Sequence, residues 1–118
     1  MIAYTDPFFR EKPRDRKTYI IECAECVDTL DILAALFSQM KIPFYIQNGY
    51  EWSWVADLWF SELPPTPHNV VFVFRNAQRI IEADKPEIRE AFLQTVRFVV
   101  ENAHKSKPFP HYYKVIIE

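Results

Sequence analysis

The alternation of hydrophobic and polar residues along the chain predicts a small α/β domain. Apolar runs short enough for strands occur at three places, and segments with helical spacing lie between them. The predicted strands cover residues 19–23, 69–74 and 112–117, and the predicted helices cover residues 28–40, 51–63, 77–82 and 84–104. Because helices separate consecutive strands, we expect a three-stranded parallel sheet flanked by three to four helices.

Local signals refine several of these elements. The strand at 69–74, NVVFVF, is apolar on both faces, which is typical of a central strand that is covered on two sides. Asp28 or Thr29 can cap the first long helix, and Pro43 is expected to end it. Asp84 and Glu87 have the spacing of a capping box at the start of the last long helix. The predicted buried stripe of that helix consists of Ile88, Ala91, Phe92, Thr95, Val99 and Ala103.

The helix predicted at 51–63 has two distinct faces. Trp52, Val55, Ala56, Trp59 and Leu63 follow the spacing of a buried stripe. The opposite side carries Trp54, Asp57 and Ser61. Since the stripe already supplies the core contacts, we predict that Trp54 is exposed beside the carboxylate of Asp57. An exposed tryptophan of this kind is typical of a surface that binds another protein.

The N-terminal residues differ in character from the rest of the chain. Residues 1–17 contain Pro7, Pro13 and mixed charges, and they lack a clear helical or strand pattern. We therefore predict two parts, an irregular N-terminal arm at 1–17 and one folded domain at 18–118.

Composition and charge narrow the function classes. The 118 residues are 49% hydrophobic, enough for one core, and they include one glycine, too few for a phosphate-binding loop. Residues 18–74 contain seven acidic residues and one basic residue, a local charge of −6, whereas residues 10–17 have a local charge of +3. An acidic and aromatic surface repels nucleic acid and attracts basic partners. We expect a cytoplasmic protein that binds neither nucleic acid nor membrane.

The sequence gives weaker indications of redox, metal-binding or catalytic function. Cys23 and Cys26 form a CxxC pair, which leaves a thiol redox protein open as an alternative function. The three histidines, His68, His104 and His111, do not have the spacing of a zinc site, and no nucleophile and base pair is visible. We therefore predict that the chain is not an enzyme and has no cofactor or metal.

The segment IPFYIQNGYEWSWVADLW and the order of the elements resemble the barstar-like family, whose founding member inhibits a secreted bacterial ribonuclease. Pro43 matches the proline after the first helix of that family, Tyr45 and Gly49 match its loop, Trp52 matches the helix tryptophan, and Asp57 matches the second helix aspartate. Ser53 stands where the family has its first helix aspartate.

The resemblance implies an immunity protein that occludes the active site of a cognate toxin, with a ribonuclease as the expected target. The loop and second helix would plug a basic nuclease cleft, and the free inhibitor would be a monomer. The implied partner-binding residues are Tyr45, Gly49, Tyr50, Glu51, Ser53, Trp54, Asp57 and Ser61. An adaptor that uses the same face on a partner other than a toxin is a further alternative.

Overall fold

Two strands come first in the chain, and consecutive helices separate the strands that follow. The computed structural model describes residues 1–10, 16–42, 52–61, 69–105 and 110–118, without the side chains of Ser53 and Ser61. Within these residues the order is β1 (Ile2–Thr5), β2 (Arg16–Glu22), α1 (Thr29–Gln39), α2 (Trp52–Ser61), β3 (Asn69–Arg75), α3 (Gln78–Ala83), α4 (Pro86–Asn102), a 3-10 helix (Ala103–Lys105) and β4 (Tyr112–Ile117).

The strands form one mixed sheet in the order β1-β4-β3-β2. The strands β2, β3 and β4 are parallel, and β1 pairs with β4 in the antiparallel direction. The α/β class is therefore confirmed, but the expectation of a three-stranded parallel sheet is wrong because β1 adds a fourth strand. The strand β3 lies between two neighbours and is buried along most of its length, as its apolar sequence predicts.

The additional strand comes from the segment that was predicted to be an irregular arm. Ile2 pairs with Ile117 across the sheet. After β1, the backbone N–H of Asp6 donates to the carbonyl of Tyr113 at 2.9 Å, and the N–H of Arg10 donates to the side-chain oxygen of Asn69 at 2.7 Å. The prediction of an irregular arm is thus wrong for these N-terminal residues, which are tied to the sheet.

The carboxylate of Asp6 adds a second attachment of the N-terminal segment. One of its oxygens accepts from the backbone N–H of Phe8 at 2.8 Å. The other lies 3.3 Å from Nδ1 of His104, which follows α4, and this contact is an ion pair when the imidazole is protonated. The start of the chain is therefore held against the end of the last long helix.

The hydrophobic core lies between one face of the sheet and the helices. Side chains at alternate strand positions point into it, because successive residues of a strand face opposite sides. The core residues on the three parallel strands include Ile21, Val70, Phe72, Phe74, Tyr113, Val115 and Ile117. The opposite face of the sheet presents Ile20, which is 43% exposed.

The end of α1 differs from the expected one. The helix ends at Gln39, four residues before Pro43, and Lys41 has a positive φ of 60°. The N–H of Ile42 donates to the carbonyl of Phe37 at 2.8 Å, the hydrogen bond of a Schellman motif. A backbone turn at Lys41, a position where glycine is usual, therefore ends α1. Its start is as predicted, because the Asp28 side chain accepts from the N–H of Asp31.

The capping box predicted at Asp84 is not formed. Lys85 is the N-cap of α4, and Asp84 instead follows α3. Its carboxylate accepts from the backbone N–H of Thr29 at 3.0 Å and of Lys85 at 2.8 Å. Burial raises the pKa of Asp84, but the hydrogen bonds from Thr29 and Lys85 outweigh it and lower the pKa overall. Asp84 thus joins the start of α1 to the turn between α3 and α4.

We predict that Phe72→Ala destabilises the protein by about 3–5 kcal/mol, because it removes a fully buried ring at the centre of the core. The matched control is Ile20→Ala on the neighbouring strand, whose side chain is 43% exposed and whose loss should cost about 1 kcal/mol. Urea unfolding followed by tryptophan fluorescence measures both. Equal losses of stability in the two variants would contradict the described core.

Candidate functional site

The buried face of α2 is anchored on the central strand. Val55, Ala56 and Trp59 are all buried. The indole of Trp59 packs edge-on against Phe72 and Phe74, with centroid distances of 5.3 and 6.3 Å. Perpendicular aromatic packing of this kind restricts the rotation of the helix about its axis. Together with the burial of Val55 and Ala56, this contact fixes which face of α2 lies against the core.

The opposite face of α2 is on the surface. Trp54 is 41% exposed, and Asp57, one turn later, is also exposed. The Asp57 carboxylate forms no ion pair with another described residue. The predicted exposure of Trp54 and Asp57 is confirmed, and their role in binding stays a prediction.

The structure describes the remaining predicted site residues only in part or not at all. Ser53 and Ser61 belong to α2, but their side chains lie outside the described structure. Four further predicted residues also lie outside it, namely Tyr45, Gly49, Tyr50 and Glu51. Trp54 and Asp57 are therefore the part of the predicted site whose geometry is defined.

A pocket of about 460 Å³ lies between α2 and α4, directly beside Asp57. It is lined by Trp52, Ala56, Asp57, Ala91, Gln94, Thr95 and Phe98. The α4 residues were not predicted as site residues. The available signal was Phe98, a large apolar residue outside the predicted buried stripe of α4, and it is 50% exposed.

A second cavity, of about 590 Å³, lies beyond the carboxyl ends of β2 and β3. Its lining includes Cys26, Asn76, Arg79, Glu82 and Glu118. Ligands of α/β proteins often bind at this end of a sheet. Several of the polar groups here are already paired within the chain. The side chain of Asn76 donates to Glu22 at 2.7 Å, and the carboxylate of Glu82 accepts from Gln78 at 2.9 Å.

The CxxC pair lies at the same end of the sheet, directly after β2. Cys23 is fully buried and its thiol is 3.5 Å from the carbonyl oxygen of Ile21. Burial, together with Cys26 and the carboxylate of Glu22, raises the pKa of the Cys23 thiol to about 12. The thiolate is the nucleophile in disulfide exchange, so Cys23 is almost wholly in the unreactive form at neutral pH.

Cys26 lies in a similarly unfavourable environment for a thiolate. Burial raises its pKa, a hydrogen bond with Cys23 lowers it, and the nearby carboxylates of Asp31, Asp28 and Glu22 raise it, so that the net shift is upward. The α1 helix begins only at Thr29, beyond both cysteines. The helix N-terminus that lowers thiol pKa values in redox CxxC motifs is therefore not available to Cys23.

Comparison of the chain with protein-family models, with curated proteins and with solved structures finds no match. Within the described ranges, no cluster of three or more histidine, cysteine, aspartate or glutamate side chains could hold a metal ion. None of the described helices combines the length and apolar character needed to cross a membrane.

We predict that neither cysteine of the native protein reacts rapidly with a disulfide reagent such as DTNB at pH 7, because both thiol pKa values are raised. The reaction should accelerate as the pH rises, with Cys26 reacting before the buried Cys23. Urea-unfolded protein is the control, since both thiols then titrate near the ordinary value of 9.0. A native thiol that reacts at pH 7 faster than the unfolded control would contradict this prediction.

Proposed function

We propose that this chain is an immunity protein, a barstar-like inhibitor that binds a cognate toxin and blocks its active site. A ribonuclease is the expected target. The observation that carries the proposal is the pairing of the exposed Trp54 and Asp57 on one face of a helix whose other face is buried in the core. The resemblance of residues 42–59 to the barstar-like family supports the same function.

The chemistry of this face suits a nuclease target. A nuclease cleft that binds RNA phosphates presents arginine and lysine side chains, and a carboxylate on a rigid helix can occupy the place of a phosphate among them. Asp57 has no described counter-ion, so its charge is available to a partner. Trp54 adds a large contact area with few rotatable bonds.

The charge distribution supports fast recognition of a basic partner. Residues 18–74, which contain all of α2, have a local charge of −6. Opposite charges on two proteins steer their encounter and raise the association rate. Rapid association is useful for an inhibitor of a toxin that would otherwise act on cellular RNA.

Two other functions remain to be compared with this one. A thiol redox protein is disfavoured by the raised pKa values of Cys23 and Cys26. An adaptor would use the same face on a basic partner other than a toxin, and the geometry of α2 fits it equally well. Co-expression of the chain with the C-terminal domain of the neighbouring gene product separates the two, because only an immunity protein restores growth.

We predict that Asp57→Ala weakens binding to the toxin domain by about 2–5 kcal/mol, roughly 30- to 5,000-fold, because it leaves a basic group of the partner buried and unpaired. The matched control is Glu25→Ala, which removes an exposed carboxylate outside α2 and should change affinity little. Isothermal titration calorimetry measures both affinities. Urea unfolding should show that neither variant is appreciably destabilised, since both side chains are exposed.

Two results would reject the proposed function. One is an Asp57→Ala variant that binds the toxin domain as tightly as the parent protein. The other is a chain that neither co-purifies with the toxin domain nor restores growth in its presence.

A further inference from the structure

The pocket between α2 and α4 has a closed floor and an open rim. Ala56 and Thr95 are only 4% and 6% exposed, so they form the floor. Phe98 is 50% exposed and belongs to the rim, together with the exposed side chains of Asp57 and Gln94. The volume of about 460 Å³ is in the range of pockets that hold a compact ligand.

We propose that this pocket receives an aromatic side chain of the partner protein, and that a basic residue beside that side chain pairs with Asp57 at the rim. The inference rests on the proposed function, because it extends the α2 surface to α4 and specifies what the partner presents. It makes Phe98 and the small residues Ala56 and Ala91 part of the binding surface.

The floor of the pocket selects against a charged group. A side chain that enters from solvent places its tip deepest, where it would contact Ala56 and Thr95. The hydroxyl of Thr95 donates to the carbonyl of Ala91 at 2.8 Å, so its hydrogen is already used. An arginine tip would lose its water there and meet no carboxylate among the described floor residues, with only the Thr95 oxygen left to accept a hydrogen bond, so its desolvation would be costly. An uncharged ring loses no such hydration.

The walls favour a ring over an aliphatic side chain. Trp52 and Phe98 contribute aromatic surfaces to the same pocket, one from each helix. Behind Phe98, the ring of Phe60 lies 6.4 Å away between centroids and helps to fix its position. Aromatic rings attract one another in offset or edge-on geometries beyond the effect of buried area alone. A partner ring between these walls would bury its apolar surface on small alanine side chains.

The rim of the pocket carries a negative charge that suits the basic partner of the proposed function. Asp57 lines the pocket while its carboxylate is exposed, so it can meet a basic residue that flanks the inserted ring. Gln94, on the α4 side, offers both a hydrogen-bond donor and an acceptor to the partner backbone. An aromatic residue next to an arginine or lysine is therefore the partner sequence that fits both the floor and the rim.

The first test uses small probes and needs no toxin. The protein, with ¹³C-labelled alanine methyl groups, is titrated with N-acetyl-phenylalaninamide, N-acetyl-tyrosinamide and N-acetyl-argininamide. The two aromatic probes should shift the methyl signals of Ala56 and Ala91 through their ring currents, and the arginine probe should leave both in place. An arginine probe that shifts these signals as strongly as the aromatic probes, or aromatic probes that shift neither, would overturn the inference.

The second test fills the pocket. Ala91→Leu adds apolar volume inside it, whereas Ala83→Leu adds the same volume at an exposed position at the end of α3. Only Ala91→Leu should abolish the probe shifts and weaken toxin binding, by at least about tenfold. Unfolding in urea checks that both variants fold.

The outcomes of these tests separate the inference from the proposed function. If Asp57→Ala abolishes toxin binding while Ala91→Leu binds as well as Ala83→Leu, the pocket inference is wrong and the proposed function stands. If the chain neutralises no toxin but the aromatic probes enter the pocket, the proposed function fails and the selectivity of the pocket for a ring stands.

Discussion

The perpendicular contact between the indole of Trp59 and the ring of Phe72 is the interaction on which the candidate site depends. Phe72 lies on β3, which has a parallel neighbour on each side and is the most constrained strand of the sheet. The same ring also packs against Tyr113 of β4, at 5.1 Å between centroids. Because Trp59 is held in this way, Trp54 and Asp57 on the opposite side of α2 project outward from a rigid support. Such preorganisation reduces the entropy that a binding partner must overcome.

The candidate site is built by two helices and not by α2 alone. The packing of α2 against α4 buries Ala56 and Thr95 but leaves Phe98 half-exposed, which creates an apolar pocket directly beside a carboxylate. An aromatic anchor inside a protected pocket, surrounded by polar groups, is the arrangement found at the energetic centres of many protein interfaces. The acidic charge of the segment that contains α2 adds long-range attraction for a basic partner. An apolar pocket and an exposed carboxylate thus lie side by side on this surface.

Periodicity was sufficient to predict the helices and the three parallel strands, but the fourth strand and the ends of several elements depend on tertiary interactions. The buried and exposed faces of α2 follow from the spacing of its apolar residues, which a helix converts directly into direction. The strand β1 has only four residues, and its pairing with β4 joins the two ends of the chain, so no local pattern predicts it. The left-handed turn at Lys41 could not be predicted either, because a positive φ is usual for glycine and uncommon for lysine. Phe98 stood outside the predicted stripe of α4, but its role in a pocket depends on where α2 packs.

We propose that a partner protein binds the surface formed by α2 and the adjacent side of α4. Amide hydrogen exchange, measured for the chain alone and in complex with the toxin domain, tests this most directly, because it locates the contact along the whole backbone. We expect binding to slow exchange in α2 and around Phe98, and to leave the rates unchanged in the edge strand β2. Slower exchange confined to β2, or to the sheet face that presents Ile20, with α2 unaffected, would contradict it.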